Sequence, residues 1–375
     1  MKVCLVGMEN LSALVRDFNP HGIGGEQVQQ TLLARALLGK GYRVSMVVGD
    51  YGQPDGASWS GVTAFKAYKA EAGIPIVRFF HPRWTGVWKA LRRADADVYY
   101  TSCAGMMVGL VAIFCRMYGR GLVFRLASDA DADPDRLLIQ YRRDKALYAF
   151  GLRRAHAVLS QHGTQQAALC HNYGVHSAVA DMFVESPERD VELARRDMPV
   201  LWVSNLRGIK RPDRVVDLAR RLCDTQIHMV GGAAPGAQAL YEQTRLQASD
   251  VPNLEFHGGV SYHEVGGLFD RARVFINTSD VEGFPNSYLQ AWRRGIPVVS
   301  FFDPDDIIQR QGLGYAVSSM EQMASAVERM LSDDIEWATV SARCRSYMEE
   351  HHGDDVVLKP YTEAIEQAAA ARRGR

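Results

Sequence analysis

Short apolar runs rich in Val, Ile and Tyr alternate with longer segments of helical periodicity through both halves of this 375-residue chain. In the first half the runs fall at 3–6, 43–48, 76–80, 97–101, 122–126 and 157–160. In the second they fall at 199–204, 226–230, 254–256, 273–277 and 297–301. Segments such as 27–40 and 212–223 lie between them, with apolar residues at helical spacing. A strand that reaches the next through a helix pairs with it in parallel, and parallel sheets are covered on both faces. The pattern predicts an α/β chain of βαβ units.

At 375 residues the chain is too long for one typical domain and suits two. The stretch ESPERDVELARRD, 185–197, is charged, lacks aromatics and holds a Pro, so it is the best linker. The expected division is a first domain over 1–185, a linker at 186–197, a second domain over 198–352 and a tail of 353–375. From 338 the tail reads as two helices broken near Gly353 and Pro360. Two Rossmann-like domains joined this way leave a cleft between the carboxyl ends of their strands, where open α/β sheets bind ligands.

Forty-three basic and 43 acidic residues cancel, so no global field recruits nucleic acid, and any membrane contact must be local. Six cysteines (Cys4, Cys103, Cys115, Cys170, Cys223 and Cys344) are scattered without a C-x-x-C pair and read as reduced thiols of a cytoplasmic protein. The opening MKVCLVG runs straight into a strand without signal-peptide design, and the longest apolar run, 104–114, is far below the ~18 residues of a membrane span.

The segment TSDVEGFPNSYLQAWRRGIPVV, 278–299, leaves a strand, turns through Glu282-Gly283-Phe284-Pro285-Asn286, and enters a helix that Gly295 can end. Gly283 leaves the backbone open to close approach, and helix-starting amides favour anionic or hydroxylated groups. Glu282 stands at the mouth of that turn. A strand–loop–helix site of this kind suits a ligand carrying both hydroxyls and phosphate. The segment resembles the donor-sugar loop of the retaining glycosyltransferases of family 4, which have the GT-B fold. Their pattern there is a Glu, then Gly-Phe with Pro or Gly, then a second Glu eight positions after the first. Here the first is Glu282, and Gln290 stands at the second. A glutamine can still accept from ribose hydroxyls, without charge assistance.

Asn205-Leu206-Arg207-Gly208-Ile209-Lys210-Arg211-Pro212 follows the first strand of the second half. Cationic side chains between a strand and a helix can clamp a pyrophosphate; a solvated basic turn is the plainer reading. By resemblance Lys210 matches the family's lysine at the leaving nucleoside diphosphate. Asn205 occupies the family arginine's position, with Arg207 as its substitute.

His21-Gly22-Ile23-Gly24-Gly25-Glu26-Gln27 is not G-x-G-x-x-G and begins well after the first strand, which argues against NAD. Gly24 and Gly25 resemble the family's first-domain Gly-rich loop facing the donor; a surface turn is the alternative. The 257–261 loop, with Val260, resembles the one whose backbone faces the nucleobase. Val230-Gly231-Gly232 is a further strand-end turn, equally readable as a plain glycine turn.

The strand 122–126 ends in Ala127-Ser128-Asp129-Ala130-Asp131, without the His that family members often present there. Asp129 can accept a hydrogen bond from an acceptor hydroxyl, or serve in a helix cap. His162, after the strand at 157–160, is a second candidate. Asp303-Pro304-Asp305-Asp306 has three acids at a helix start, which the dipole alone favours, and His351-His352 lack a third ligand on a polar tail helix, so no metal site is expected. At 81–93, Trp84, Val87, Trp88 and Leu91 keep helical spacing beside Arg83, Lys89, Arg92 and Arg93, which suits either a core face or a helix lying on an anionic membrane.

The resemblance implies a GT-B fold of two Rossmann-like domains facing across a cleft, with the tail helix returning to the first domain. It implies a hexosyltransferase-like enzyme that needs no cofactor or metal and moves a sugar, with retention, from a nucleotide-sugar donor to a hydroxyl of a glycan, a lipid-linked glycan or a small molecule. Lys210, Glu282 and Asp129 are the expected catalytic residues. Gly24, Gly25, Asn205, Arg207, Val260, the Gly283–Asn286 turn and Gln290 are the expected donor contacts. The expected location is cytoplasmic, peripheral on the inner membrane face. Two alternatives stand beside it: a GT-B nucleotide-sugar 2-epimerase, and a non-catalytic relative that binds nucleotide or sugar, to which Asn205 and Gln290 point.

Overall fold

The structure, a computed structural model, describes residues 1–15, 18, 24–74, 77–185 and 196–373, with the backbone alone at 262, 263, 354, 372 and 373. It divides into two units, Met1–Phe183 with Asp354–Arg375, and Val184–Gly353. Most of the 186–197 linker lies outside the described residues, as do His21, Gly22 and Ile23.

The first unit holds strands β1 (Lys2–Val6), β2 (Arg43–Val48), β3 (Ala57–Trp59), β4 (Val62–Lys66), β5 (Val98–Ser102), β6 (Gly121–Arg125), β7 (Ala157–Ser160) and β8 (Ala178–Val179). They lie in the order β3-β4-β2-β1-β5-β6-β7-β8. Alternate residues of β1 serve opposite faces. Val3 and Leu5 join Leu33, Leu37, Met46 and the tail's Tyr361 and Ile365. Cys4 and Val6 join Val87, Leu91, Tyr99 and Phe114. Burial on both sides is the physical reason these runs are continuous in sequence.

The expected parallel sheet is present, with one addition and one exception. β3 and β4 form an antiparallel hairpin at its edge. The described part of the run at 76–80 is no strand: Val77–Phe79 is a 3-10 turn, and Phe80–Trp84 is a kinked segment, extended at His81, that leads into the helix Thr85–Ala94. The stripe considered for a membrane faces the core instead, with Val87 and Leu91 fully buried and Trp84 and Trp88 packed partly buried against the same cluster. Among the described residues no helix is long and apolar enough to cross a membrane. All six cysteines are free.

The second unit holds β9 (Met198–Val203), β10 (Ile227–Val230), β11 (Leu254–Gly258), β12 (Ala272–Asn277), β13 (Val298–Ser300) and β14 (Gly314–Ala316). Their order is β11-β10-β9-β12-β13-β14, and every pairing is parallel. This is a doubly wound sheet whose strand order reverses between β9 and β12, the place where such sheets bind ligands. Arg196 fastens its underside, donating to the carbonyls of Ala272 (2.8 Å) and Arg294 (2.7 Å).

The tail forms the helices Asp334–His351 and Asp354–Arg373, and Pro360 lies inside the second instead of breaking it. A proline there costs about 3 kcal/mol. Burial of Val357, Leu358, Tyr361 and Ile365 on the first unit's core outweighs that, at ~1.5–3 kcal/mol for each large apolar side chain.

Candidate active site

β9 and β12 run side by side at the reversal point, so the loops leaving their carboxyl ends must meet. Lys210 comes from the first loop and Glu282 from the second, and the Lys210 ammonium donates to Glu282 Oε1. Both side chains are mostly buried, at 18% and 12% exposure, while a face of each stays open to solvent. Ser279 Oγ donates to the same carboxylate oxygen at 2.7 Å. The backbone beneath is fixed by Thr278, whose hydroxyl donates to the Lys210 carbonyl (2.7 Å) and accepts from Trp202 Nε1 (2.9 Å). The Asp280 amide closes the same seam on the Ile209 carbonyl at 2.9 Å.

Four cations line residues 207–214, and their partners differ. Arg211 is taken by Asp213 at 2.7 Å, and Arg214 by Asp280 at 2.9 Å and the Thr278 carbonyl at 2.8 Å. Arg207 is exposed and has no ion pair among the described residues. Asn205 is also exposed. Lys210 and Arg207 are therefore the cations of this loop that an anionic ligand can engage without breaking an Arg–Asp pair.

Gly283 and Phe284 form the bend after Glu282, and Pro285 precedes the helix Asn286–Arg293. Phe284 sets the bend by packing near Trp292 and His352, with ring centroids 6.2 and 6.4 Å away. His352 is thus a buried wall residue instead of an exposed one on a polar helix. Gln290 is half-buried one turn into the helix. Asp303 accepts from the Ile308 and Gln309 amides at 2.8 and 3.3 Å, the helix-start role its sequence suggested.

The neighbouring strand ends are laced to this seam by backbone bonds. Ser204 N donates to the Val230 carbonyl (3.0 Å), Leu206 N to Gly232 (2.9 Å), and Gly231 N to Gly258 (2.8 Å). Gly231 is more than a plain turn, since a β-carbon there would press into the Ser204 carbonyl oxygen. Val260 is half-buried just past the next of these turns. Its following residue, Ser261, pairs its hydroxyl with Glu264 at 2.7 Å.

In the first unit Gly24 caps the helix Gly25–Gly39, and Glu26 in its first turn accepts from the fully buried Arg125 at 3.4 Å. Burial pushes the Glu26 carboxyl up, and the Arg125 charge opposes that shift. Asp129 and His162 are one pair: His162 Nε2 lies 3.0 Å from Asp129 Oδ1, which also accepts from Gln165 Nε2 at 2.9 Å. Asp131, not Asp129, caps the turn, accepting from the Ala127 and Ser128 amides at 2.8 and 3.3 Å. Burial pushes the Asp129 carboxyl up, but the bonds from His162 and Gln165 outweigh it and hold the group below the usual carboxylate range.

Sequence reading overlooked Ser279, Thr278 and Trp202, whose bonds aim Glu282 and Lys210. It also overlooked Arg125, Gln165, and a cluster of His228, Glu255 and His257 on β10 and β11. Glu26 lay inside a segment already singled out, whereas Arg125 read as a strand residue and carried no signal.

Residues 199–333 match the family described as Glycosyl transferases group 1. No curated protein matches the sequence. Among solved structures, sucrose-phosphate synthase from Thermosynechococcus elongatus superposes with a TM-score of 0.78 at 16% identity, covering 99% of this chain and 100% of that one. HepE from Anabaena, in complex with UDP and glucose, gives 0.75 at 14% identity, covering 98% and 99%. WaaG, a glycosyltransferase involved in lipopolysaccharide biosynthesis, gives 0.64 at 16%, covering 96% and 98%. The chain has the two-domain α/β fold of the GT-B glycosyltransferases, and the matched segment, which contains Lys210, Glu282 and the whole reversal point, supports a glycosyltransferase.

Proposed function

We propose that this protein is a retaining, family 4-type glycosyltransferase that moves a hexose from a nucleotide-sugar to a hydroxyl of a glycan or lipid-linked glycan. The observation that carries the reading is the meeting of Lys210 and Glu282 at the strand-order reversal of the second sheet. One group suits a diphosphate and the other suits sugar hydroxyls, and they touch where open α/β sheets take their ligands. An arriving donor exchanges the ammonium–carboxylate contact for ammonium–phosphate and carboxylate–hydroxyl contacts. Arg207 supplies the second positive charge in place of an arginine at 205, and Gln290 accepts from ribose. Val260 and its loop lie along the nucleobase.

In the reaction the bond from the anomeric carbon to the phosphate oxygen breaks, and the acceptor oxygen bonds to that carbon from the same face. The acceptor proton passes to the departing phosphate. Lys210 and Arg207 stabilise the charge growing on the leaving group, so the chemistry is proposed to need no metal ion. Asp129, held charged, is suited to accept a hydrogen bond from an acceptor hydroxyl. Free cysteines support a cytoplasmic setting.

UDP-glucose is the first donor to test, because HepE was solved with UDP and glucose. Lipopolysaccharide-type acceptors come first because WaaG serves that synthesis. A ligand at 100 times its Kd adds ~2.7 kcal/mol of stability, which a thermal-shift panel of nucleotides and nucleotide-sugars will register. Lys210→Ala is expected to lower transfer by ~10²–10³-fold, the ~2.7–4 kcal/mol of one transition-state contact. Unchanged transfer by that variant would falsify the assignment. Nucleotide binding without turnover on any acceptor would point to the non-catalytic relative, and an epimer formed without acceptor to the isomerase.

A further inference from the structure

We propose that His228, Glu255 and His257 form a binding site for a first-row transition-metal ion, Zn²⁺ foremost, on one face of the second unit's sheet. The strand register creates it. His228 on β10 is paired directly with Glu255 on the edge strand β11. His257, two residues along β11, returns to the same face. The ladder slips at this point: Met229 pairs with Phe256 and Val230 with Gly258, so His257 is the bulged residue. A bulge of this kind re-aims its side chain, here toward His228.

The donor atoms have the spacing an ion needs. His228 Nδ1 lies 3.1 Å from His257 Nε2 and 3.2 Å from Glu255 Oε2, and His257 Nε2 lies 3.7 Å from Glu255 Oε1. Ligands ~2.0–2.1 Å from a tetrahedral ion sit roughly 3.3 Å apart; one donor atom from each of the three residues lies within 4.8 Å of the other two, close enough for a small shift of the exposed carboxylate to gather them on one ion with a position left for water. Two imidazoles and one carboxylate make a donor set that zinc accepts. Binding requires each ring to carry its proton on the far nitrogen, a tautomer open to both. Without an ion, one facing nitrogen simply donates to the other.

The surroundings fit this role. His228 is buried, whereas the Glu255 side chain is 54% exposed and gives an ion its path from solvent. Arg271, the cation beside the cluster, is bound bidentate to Asp197 at 2.7 Å through each nitrogen, so its charge is already met. His228 and Glu255 are second in their strands, near the amino ends, while Lys210 and Glu282 follow the carboxyl ends of theirs. Lys210 and Glu282 are not among the three ligands, although His257 opens the loop proposed to lie along the nucleobase, and an ion in the site pins the edge strand to its neighbour.

The test uses the full, tag-free chain after chelation, without nucleotide. Titration with Zn²⁺ by calorimetry is expected to show one ion per chain with micromolar or tighter affinity and to raise Tm by several degrees. Co²⁺ is expected to give the strong visible bands of a four-coordinate site. Glu255→Gln and His257→Ala, both at accessible positions, are each expected to weaken binding by ~10–100-fold or more. Absence of saturable binding by the wild type would overturn the proposal. So would cobalt bands and affinity that persist in both variants, because the ion would then sit elsewhere. Measuring UDP-glucose binding in Glu255→Gln keeps the two proposals apart: its loss of zinc with donor binding intact supports the site, whatever the outcome at Lys210.

Discussion

Asp129 shows how neighbours set the charge of one residue. Its folded pKa lies below the ordinary carboxylate range because His162 and Gln165 bond to the charged form more strongly than burial disfavours it. A carboxyl with a depressed folded value stabilises the fold above its unfolded value, and that contribution disappears as pH falls through the folded one. Asp129→Asn is therefore expected to lose about 1 kcal/mol at pH ~7, the difference between a charge-assisted and a neutral bond. Urea unfolding of both proteins near pH 7 and near pH 3 should show the gap closing in acid. A gap of equal size at both values would mean that the charge contributes nothing. In sequence Asp129 and His162 were two separate candidates, because nothing in the spacing reveals that β6 and β7 are neighbours whose following loops share a corner. Glu282 and Lys210 were legible individually, each as a polar residue in a strand-to-helix loop. Their contact was not, since it depends on β9 and β12 being adjacent.

Elements were readable where their strands are buried on both faces and less so toward the sheet edges, although the edge strand β11 was expected at 254–256. β1, β5, β6, β9 and β12 are continuous apolar runs and were expected within a residue of where they lie. β3, β8 and β14 have two or three residues each, too few for a periodic signal. The run at 76–80 misled because composition alone cannot tell a short apolar strand from a helical turn. Of its side chains Phe79 is buried, whereas Val77 and Phe80 are more than half exposed, a mixture no buried strand would show. Glycines carry the strand-end turns, and Gly231 is the most constrained in the donor region. Gly231→Ala is expected to cost ~1–3 kcal/mol, as overpacking does, because the new methyl group meets the Ser204 carbonyl. It should also weaken nucleotide binding by displacing the loop that leads to Lys210. A variant with unaltered Tm and Kd would show that this seam yields freely.

At the scale of the whole molecule the chain does not finish one unit before starting the next. The helix Asp354–Arg373 packs against β6 and β7, with Tyr361 donating to the Asp181 carbonyl at 2.9 Å and Gln367 to the His156 carbonyl at 3.0 Å. It contributes Val357, Leu358, Tyr361, Ala364, Ile365 and Ala368 to the first unit's core. Burying even four large apolar side chains contributes ~6–12 kcal/mol. That rivals the entire ~5–15 kcal/mol stability of an ordinary domain. A protein ending at residue 353 is expected to lose the first unit's cooperative unfolding transition and keep the second's, as read by calorimetry. Two surviving transitions would show that the helix is an accessory. The alternation of runs forecast two doubly wound halves, but no periodicity shows which half the last helix serves. That is a property of packing partners, not of the helix itself.

This interrupted first unit has a consequence during synthesis. The ribosome must release some 170 further amino acids, 184–353, before the helix that completes the earlier lobe emerges. Until then the nascent lobe carries an uncovered greasy face where Tyr361 and Ile365 will sit, which makes it a natural client for chaperones.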